Sequence, residues 1–409
     1  MPDRSAPVIY VSIVQQGHAA KQRLDVSDSV ISLTFEDGEH EAAKLTLTVN
    51  NHNLANFDTP IWRKGTKLEA SWGYVGDTTP TYSSVIQVVK GFNVLQIEAL
   101  SLSILMHKKQ KIRKWTEMTR SQVVQLVAAE NGYSGDQLHL DDTGVVLPVI
   151  HQIRETDAQL LSRLARAEGW KFSIDYDGLH FHDRKLSQAP LRIYEWFGGP
   201  GAGDIIGYPS IENDVTVKPA SVTTKGRDPL AKKDFEITAD NTTPRTGLAE
   251  AIEIVDPITG VQTFQVGTGQ STIEPSSDLN EATAKRRVQG VYKNAQMTTV
   301  LMSLPVVGDP RVRAKSIVNV KGIRTLSGNY FVAKARDTVS ATGGFTQALS
   351  LRRDGRSEIY PKAAVSGAVQ NTKAPATDTG ALSPLERVNP ITGETETVFV
   401  DSRGREQGN

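Results

Sequence analysis

The chain contains no cysteine, and its opposite charges balance, with 46 Lys and Arg against 46 Asp and Glu in 409 residues. The lack of cysteine excludes disulfides, thiolate metal sites and cysteine nucleophiles. A net charge of zero lacks the basic excess of a general nucleic-acid or membrane-surface binder, so any such contact must be local. No apolar run approaches the ~20 residues of a membrane helix, and the N-terminal residues lack a secretion-signal pattern. We expect a soluble chain with no membrane span and no export signal of its own.

Hydrophobic residues make up 38% of the chain, which permits real cores, and a prior of about 150 residues per domain suggests two to four domains. Apolar and polar residues alternate in several short runs between residues 8 and 105. The clearest are 31–36, 45–49 and 68–74. This period of two indicates antiparallel strands with one buried face, the pattern of a sandwich or barrel.

A helix, a stop and a strand follow one another directly from Thr156. Thr156 and Gln159 have the spacing of a capping box, in which each side chain bonds the other residue's backbone N–H. Leu160, Leu161, Leu164 and Ala165 form one apolar stripe. Gly169 can adopt the left-handed conformation that ends a helix. The aromatic Trp170 begins the next strand, where we expect it to be mostly buried.

The strand after this helix is predicted to turn back on itself as a hairpin. Asp177-Gly178 is a strong signal for a two-residue turn. That turn would place Tyr176 opposite Leu179 and Ile174 opposite Phe181 on one buried face.

A second copy of the same unit is predicted at residues 119–133. Shifted by a constant offset, the two segments match in the cap, the apolar pair, the glycine and the closing aromatic: Thr119, Gln122, Gly132 and Tyr133 against Thr156, Gln159, Gly169 and Trp170. The alternative is that any capped helix that ends in glycine shows this pattern, and the sequence leaves the choice open.

The segment from Thr156 to Asp183 resembles the phage late control protein D family, the baseplate hub of contractile tails and a relative of the hub part of type VI secretion spikes. The residues in the places of the family's helix motif are Thr156, Asp157, Leu160, Leu161, Arg163, Leu164, Ala165, Gly169 and Trp170. The closing strand, loop and strand at 328–355 and the extended run at 57–76 are also similar to the family. The resemblance covers roughly residues 1–355.

The predicted fold class is α+β and mostly antiparallel β, with two tube-protein-like β-barrel domains separated by a helix and hairpin α/β domain. The first barrel domain is assigned to 1–106 and the α/β domain to 107–206, which ends in a glycine-rich linker. The second barrel domain takes 207–232 and 298–355. An insertion at 233–297 carries turn-rich strands and an amphipathic helix from Asn280, and an extended C-terminal tail takes 356–409. Similar turn motifs, VDPITG and VNPITG, lie in the insertion and the tail.

Few residues suggest chemistry. His180 and His182 flank Phe181 on the outward face of the hairpin and could reach one metal ion, but two ligands from one strand need a third. Solvent-facing strand residues are therefore the favoured interpretation. Asp175 and Asp177 lie beside a turn, and the pair Asp141-Asp142 lies in a loop. A carboxylate pair for glycoside hydrolysis must lie on both sides of a substrate groove, which the sequence does not show, and turn chemistry already explains these residues.

Two glycine-rich segments superficially match enzyme motifs. The run Gly132-Tyr133-Ser134-Gly135 lacks the spacing of a nucleophile elbow and follows a helix, so it is interpreted as a helix stop. The linker glycines from Gly201 to Gly207 echo a phosphate loop, but Pro209 interrupts the helix that would hold a phosphate. We predict no catalytic, cofactor-binding or metal-binding residues, no cofactor, and no enzymatic activity.

The strongest charge feature is HKKQKIRKW, residues 107–115, with five basic residues beside a tryptophan. It could bind phosphates or an acidic partner surface. The alternative is a solvated junction between the first β domain and the first helix, since charge runs are common on exposed faces. The family resemblance favours an interface.

The resemblance implies a structural role in the virion, in the baseplate of the tail, with assembly in the host cytoplasm. It implies a homotrimer that acts as a symmetry adaptor between the hexameric tail tube and the trimeric central spike, with wedge proteins as further partners. DNA would pass through the lumen without sequence-specific binding. Alternatives are the hub of a type VI secretion or other contractile injection system, and a baseplate-borne cell-wall hydrolase. Only a polar tail follows Gly355, so a separate spike protein is expected.

Overall fold

The computed structural model describes residues 6–15, 22–39, 41–58, 61–196, 204–213, 218–228, 232–240, 243, 248, 253–255, 262–264, 270–275, 281–323, 326–354, 383–388 and 395–400. The helices are α1 Ala55–Asp58, α2 Arg120–Glu130, α3 Asp157–Glu168 and α4 Glu281–Gln296. The strands are β1 Pro7–Gln15, β2 Gln22–Asp25, β3 Val30–Gly38, β4 Lys44–Asn50, β5 Lys67–Tyr74, β6 Asp77–Thr78, β7 Tyr82–Gly91, β8 Val94–Ser101, β9 Gln110–Thr119, β10 Leu138–Leu140, β11 Val146–Thr156, β12 Lys171–Ile174, β13 Leu179–His182, β14 Arg192–Glu195, β15 Ser210–Asn213, β16 Val222–Asp228, β17 Lys233–Ala239, β18 Glu253–Val255, β19 Gln262–Phe264, β20 Thr272–Pro275, β21 Val300–Val307, β22 Ile317–Lys321, β23 Gly328–Ser340, β24 Gly344–Arg353, β25 Ser383–Val388 and β26 Thr395–Val400.

The predicted fold class, α+β and mostly antiparallel β, is confirmed. The largest sheet has 14 strands. Its first part, which we call the first β unit, consists of β1, β3, β4, β5, β7 and β8 and encloses one core of alternating strand residues. Its second part, the second β unit, consists of β14, β15 and β21 to β24 around a core of its own. Among the described strands, the hydrogen-bond ladder of neither unit closes into a barrel.

The two β units have the same strand order. The first unit runs β1-β5-β7-β8-β4-β3 across the sheet, and the second runs β14-β22-β23-β24-β21-β15. Numbered by position in the chain within each unit, both orders are 1-4-5-6-3-2. The two differ in their first pair, because β1 and β5 are antiparallel whereas β14 and β22 are parallel. In the first unit, β4 lies between the meander β5-β7-β8 and the edge strand β3. In the second unit, β21 lies in the same way between the meander β22-β23-β24 and the edge strand β15.

A β-bulge lies at the same place in both units. The pairing of β7 with β8 shifts between Ile86 and Val88, and that of β23 with β24 shifts between Val332 and Lys334. At its bulge β23 also changes partner, because residues 328–331 pair with β22 and residues 334–340 pair with β3 of the first unit. Bulges bend a strand and redirect its edge, which is what this exchange of partner requires. Strand β23 therefore joins the two units into one sheet.

A buried polar network lies at this joint. Asp337 of β23 is fully buried, and its carboxylate accepts hydrogen bonds from Nε1 of Trp72 at 2.7 Å, from Nε2 of Gln347 at 2.9 Å and from the guanidinium of Arg313. Arg313 also lies over the ring of Trp72. The two β units are thus connected by backbone pairing, by the hydrogen bond of Trp72 to Asp337, and by the Arg313 guanidinium over the Trp72 ring.

The middle of the chain contains two equivalent strand and helix units, as the repeat predicted. Strands β9 and β11 pair antiparallel, and each leads into a helix with a capping box, at Thr119 and at Thr156. Glu117 and Arg154, two residues before the caps, both have positive φ. Each helix ends with the same pair of backbone hydrogen bonds. The N–H of Gly132 and of Gly169 donates to the carbonyl three residues earlier, and the N–H of Tyr133 and of Trp170 donates to the carbonyl five residues earlier. The common bends, caps and ends support a true repeat.

The predicted hairpin exists, but its register was wrong. Phe172 lies opposite Phe181 and Ile174 opposite Leu179, so residues 175–178 form a four-residue connection instead of a two-residue turn. The longer connection places Tyr176 outside the hairpin, where its ring contacts that of Tyr82 in the first β unit at 5.6 Å. Trp170, expected to be mostly buried, is half-buried and packs edge-on against Phe181.

Two groups of residues lie in other sheets than the sequence suggested. Strand β14, assigned with the α/β domain, pairs with β22 of the second β unit. Strand β16, assigned with the second β unit, pairs with β17 and β20 in a small sheet of the insertion. Short strands and long connections carry little periodicity, so sequence alone does not decide their partners. The boundaries at 106, 206 and 232 remain predictions.

The insertion carries the predicted amphipathic helix, α4, which buries Ala284, Val288 and Tyr292. It packs on the end of α3 through two glycines. A Cβ added to Gly290 would lie 2.6 Å from Cα of Gly169, so only the absence of side chains permits this approach.

The last described residues, 383–388 and 395–400, belong to a second unit of the chain. In it, β25 and β26 pair antiparallel with Val388 opposite Thr395, and in the insertion β18 and β19 pair with Val255 opposite Gln262. Strands therefore flank both predicted turn motifs, whose residues 256–260 and 389–393 lie outside those described. Of the tail predicted as extended, 356–409, only β25 and β26 lie within the described residues.

Candidate functional site

The basic run 107–115 divides into two faces. Lys111 and Arg113 of β9 point inward and bind Asp157 at the start of α3, at 2.7 and 2.6 Å. Asn131 and Gln152 donate further hydrogen bonds to the same carboxylate. Burial opposes ionisation of Asp157, but these bonds, that of Lys111 first, lower its pKa overall.

The remaining basic residues of the run face solvent. Lys108, Lys109 and Lys114 are exposed, and the ribbon beside Lys114 also exposes Ile112 and Ile153, which lie directly opposite each other. Lys111 and Arg113 thus form ion pairs inside the protein, a role that neither sequence interpretation included. The exposed lysines of the run remain accessible to solvent or to a partner.

The histidines of the hairpin gain neighbours that the sequence interpretation lacked. Strand β10 pairs parallel with β13, so His139 lies directly beside His180 with the two rings stacked at 4.5 Å. Gly178 makes this possible, because a Cβ there would lie 2.0 Å from the carbonyl oxygen of Gln137, just before β10. The turn carries Asp177, whose Oδ1 lies 2.9 Å from Nε2 of His180 and whose Oδ2 lies 3.6 Å from Nε2 of His139.

Two pKa shifts follow from this arrangement. Burial, the largest cause, lowers the pKa of His180 and so favours its neutral form. Burial opposes ionisation of Asp177, but its contact with His180 lowers the pKa of Asp177 overall. Asp175 lies next to this cluster and is bound by Lys315, with Nζ to Oδ2 at 2.6 Å.

His139 was missed at the sequence level, although a signal existed. The segments Leu138–Leu140 and Leu179–Phe181 both place a histidine between two apolar residues, the pattern of two neighbouring strands with outward histidines. Pairing between strands that lie far apart in the chain is not visible in periodicity, so the third candidate ligand could not be assigned.

The other predicted candidates have structural explanations. Asp142 accepts hydrogen bonds from the hydroxyl of Ser121 at 2.9 Å and from the N–H of Gly144 at 3.1 Å, which fixes the loop at the start of α2. Gly132 has a positive φ directly after α2, as a helix stop requires. The linker glycines before Asp204 lie outside the described residues.

Two strand edges of the large sheet are exposed. Strand β15 ends the sheet at one side, and residues 88–91 of β7 pair with β8 alone among the strands that the structure describes. Val88, Val89 and Ile211 on these edges are exposed apolar side chains. Exposed edges with apolar residues are templates for pairing with another chain.

Solved structures share this architecture. A tail protein from Neisseria meningitidis MC58 is 14% identical, with a TM-score of 0.58 over 85% of this chain and 97% of its own. The 43 kDa tail protein of prophage MuSo2 from Shewanella oneidensis is 13% identical, with a TM-score of 0.61 over 85% of this chain and 99% of its own. The chain has the fold of phage tail proteins.

A further likeness extends to secretion. A component of the Escherichia coli type VI secretion system, itself described as structurally similar to T4 bacteriophage tail proteins, is 10% identical, with a TM-score of 0.50 over 92% of this chain and 83% of its own. No protein-family model and no curated protein sequence matches the chain. At these identities the likeness establishes the fold, and it agrees with the family resemblance of the helix and hairpin motif.

No helix among the described residues has the length and apolar character needed to cross a membrane.

Proposed function

We propose that this chain is a structural hub protein in the baseplate of a contractile phage tail, a homotrimer that joins the hexameric tail tube to the trimeric spike. The observation that carries the proposal is the pair of β units with one strand order. A trimer of such chains presents six equivalent units to a hexameric tube and three copies of everything else to a trimeric spike. The shared fold of phage tail proteins supports the same role.

The joint inside one chain supplies a template for the contact between chains. Within the chain, edge strand β3 of the first unit pairs with β23 beyond its bulge. By the common strand order, β15 of the second unit corresponds to β3, and β7 of the first unit corresponds to β23. The equivalent contact between chains would therefore pair β15 of one chain with β7, beyond its bulge, of the next chain. Both are exposed edges, and pairing them around the trimer would cover them and close the ring. DNA would pass through the lumen of that ring.

Aligning the two units by their ladders makes the template specific to the residue. The bulges match Ile86 of β7 with Val332 of β23, and this aligns Lys90 with Arg336. The strand pairings carry the same alignment across β8 and β24 to β4 and β21, and from there to β3 and β15. Glu36 is thereby aligned with Glu212. Within the chain Glu36 lies opposite Arg336, with a side-chain ion pair at 3.5 Å. The contact between chains would then place Glu212 opposite Lys90, again an acid opposite a base.

The absence of enzymatic activity is part of the proposal. The candidate groups for a baseplate-borne hydrolase are engaged elsewhere, since Asp142 fixes a loop and Asp175 is bound by Lys315. Tail-tube, spike and wedge proteins would be the partners, in the virion tail after assembly in the host cytoplasm. The likeness to the type VI component supports the hub of an injection system as the second candidate, with the same ring.

The chain's lack of cysteine permits a direct experiment. Residues opposite each other on paired strands have the spacing that a disulfide needs. The variant with both Lys90→Cys and Glu212→Cys is expected to form a covalent trimer under mild oxidation, seen as a reducible band in denaturing electrophoresis. Light scattering of the wild type at micromolar concentration is expected to give the mass of three chains.

Each single cysteine variant serves as control, because a ring joined through 90 and 212 needs both positions and a single variant cannot form the trimer ladder. A strictly monomeric wild type, even in the presence of its spike, would contradict the trimer. A trimer that the double variant does not cross-link would contradict only the proposed edge pairing.

A further inference from the structure

Three hydrogen-bond contacts run in a row through His182, His180 and Asp177, and two neutral histidines do not carry enough hydrogens for all three. Nδ1 of His182 lies 2.6 Å from the carbonyl oxygen of Asp183, and this oxygen can only accept. Nε2 of His182 lies 3.4 Å from Nδ1 of His180. Nε2 of His180 lies 2.9 Å from Oδ1 of Asp177, which also only accepts when ionised.

Three contacts in a row therefore each need one hydrogen, and two neutral imidazoles carry one each. If His182 donates to Asp183 and His180 donates to His182, then Nε2 of His180 directs a lone pair at a carboxylate. In that tautomer a metal ion between the two atoms would satisfy both the lone pair and the carboxylate.

His139 provides an independent observation that points to a bound ion. Nε2 of His139 is shielded from solvent and has no hydrogen-bond partner among the residues that the structure describes. Its distance of 3.6 Å from Oδ2 of Asp177 is too long for a hydrogen bond. One ligand atom from each of His139, His180 and Asp177 can be chosen so that all three lie within 4.8 Å of one another. A metal ion between them would satisfy both Nε2 atoms and the carboxylate together.

We propose that His139, His180 and Asp177 form a divalent transition-metal site, with Zn²⁺ as the ion that two imidazoles and one carboxylate suit best. Three protein ligands leave one position of a tetrahedral Zn²⁺ for water or another ligand. His182 is a positioning residue, because it accepts from Nδ1 of His180 and is itself held by the backbone of Asp183. Such an outer partner fixes the tautomer that leaves Nε2 free for the metal.

The site lies where three parts of the chain meet. The turn that carries Asp177 also carries Tyr176, which contacts Tyr82 of the first β unit, and Asp175, which binds Lys315 before β22. A metal ion would fix this turn to β10 and so stiffen the contacts of the hairpin with both β units. The sequence interpretation rejected a metal here for lack of a third ligand, and β10 supplies that ligand.

Titration calorimetry of tag-free protein with ZnCl₂ tests the proposal, with Co²⁺ absorption as a report on coordination geometry. We expect one Zn²⁺ per chain, and a melting temperature that rises with Zn²⁺ concentration and falls again with chelator, as ligand binding to the folded state requires. His139→Ala or His180→Ala should abolish saturable binding. His182→Ala should weaken it by about 10- to 100-fold, the usual effect of an outer partner.

Asp177→Asn is the variant least disturbing to the fold, since it keeps the side-chain shape and removes the charged ligand, and it should also lose the Co²⁺ spectrum. His151→Ala, on the exposed outer face of β11, is the matched control and should bind as the wild type does. Wild-type protein without saturable binding, or His139→Ala and Asp177→Asn variants that fold and still bind as tightly, would overturn the site.

Discussion

The two β units share a strand order but differ in what covers their edge strands. Edge strand β3 of the first unit is paired with β23, whereas its equivalent β15 in the second unit has no further strand beside it among those described. Their cores also differ, since Phe35, Trp72 and Tyr82 stack together in the first unit, while the second is mainly Val and Leu. The strand order is therefore held by the ladder and the bulge, and it tolerates very different side chains inside.

The difference at the edges separates a permanent contact from a potential one. Within the chain, the contact of β3 with β23 is reinforced by Trp72 of the first unit, which donates to the buried carboxylate of Asp337 and lies under the guanidinium of Arg313. The position equivalent to Asp337 in β7 is Gly91, which has no side chain to form such a network. We infer that the joint inside the chain forms during folding, and that the equivalent contact between chains forms only on assembly.

The largest effect is expected at the permanent joint. Asp337→Leu removes the acceptor of Arg313 and leaves a buried cation without its partner, so the free energy of unfolding should fall by about 3 to 5 kcal/mol. Urea denaturation followed by tryptophan fluorescence measures the change. Adding Arg313→Met to this variant should recover much of the loss, because both charges are then gone.

The matched control lies on the same strand pair. Glu36→Ala removes the ion pairs of Glu36 with Arg336 and Lys334. The three side chains are 31% to 58% exposed, so the change should cost less than about 1 kcal/mol. If Asp337→Leu costs no more than Glu36→Ala, the buried network does not hold the joint.

Features of the fold and of the candidate site could be predicted from the sequence where they depend on residues that are neighbours in the chain, and could not where they depend on residues that are distant in the chain. The helix starts at Thr119 and Thr156 and the stop at Gly169 depend on neighbouring residues, and each was predicted correctly. The hairpin register failed because the Asp177-Gly178 signal is also local, whereas Gly178 is required by its contact with Gln137 of a distant strand. The change of partner at β23 and the approach of His139 to His180 need the whole sheet, and no local pattern reports them.

A smaller effect of opposite sign is expected from Asp37 of β3, next to the joint. Burial raises the pKa of Asp37 to about 6 from 3.8. The folded state therefore binds a proton more tightly than the unfolded state, so this group makes the protein less stable as the pH rises from about 4 to about 6. Asp37→Asn removes that cost and should stabilise the protein at pH 7.5 by roughly 1 to 3 kcal/mol.

The pH dependence distinguishes this explanation from a general effect of the substitution. The stabilising effect of Asp37→Asn relative to the wild type should shrink towards pH 4 and disappear below it, where Asp37 is protonated in both the folded and the unfolded state. Urea melts of both proteins at pH 4.5, 6 and 7.5 provide the comparison. An advantage that stays constant across this range would show that the charge of Asp37 is not its cause.

The smallest effect per contact is expected at the edge between chains, where the template places Lys90 opposite Glu212. Both side chains are exposed, so one such pair contributes less than about 1 kcal/mol and weakens as salt screens it. A trimer contains the pair three times, which multiplies its effect on dissociation. Lys90→Glu alone is ambiguous, because Lys90 also binds Glu98 of its own chain at 2.7 Å, and its loss would disturb β8.

A double-mutant cycle removes that ambiguity. Glu212→Lys should weaken the trimer in the wild-type background and strengthen it in the Lys90→Glu background, because only there does the new lysine face an acid. Sedimentation equilibrium at low and moderate salt measures the trimer dissociation in all four proteins. The sign of the Glu212→Lys effect is decisive, since a change at a site remote from Lys90 would act alike in both backgrounds and would exclude the proposed pairing of β15 with β7.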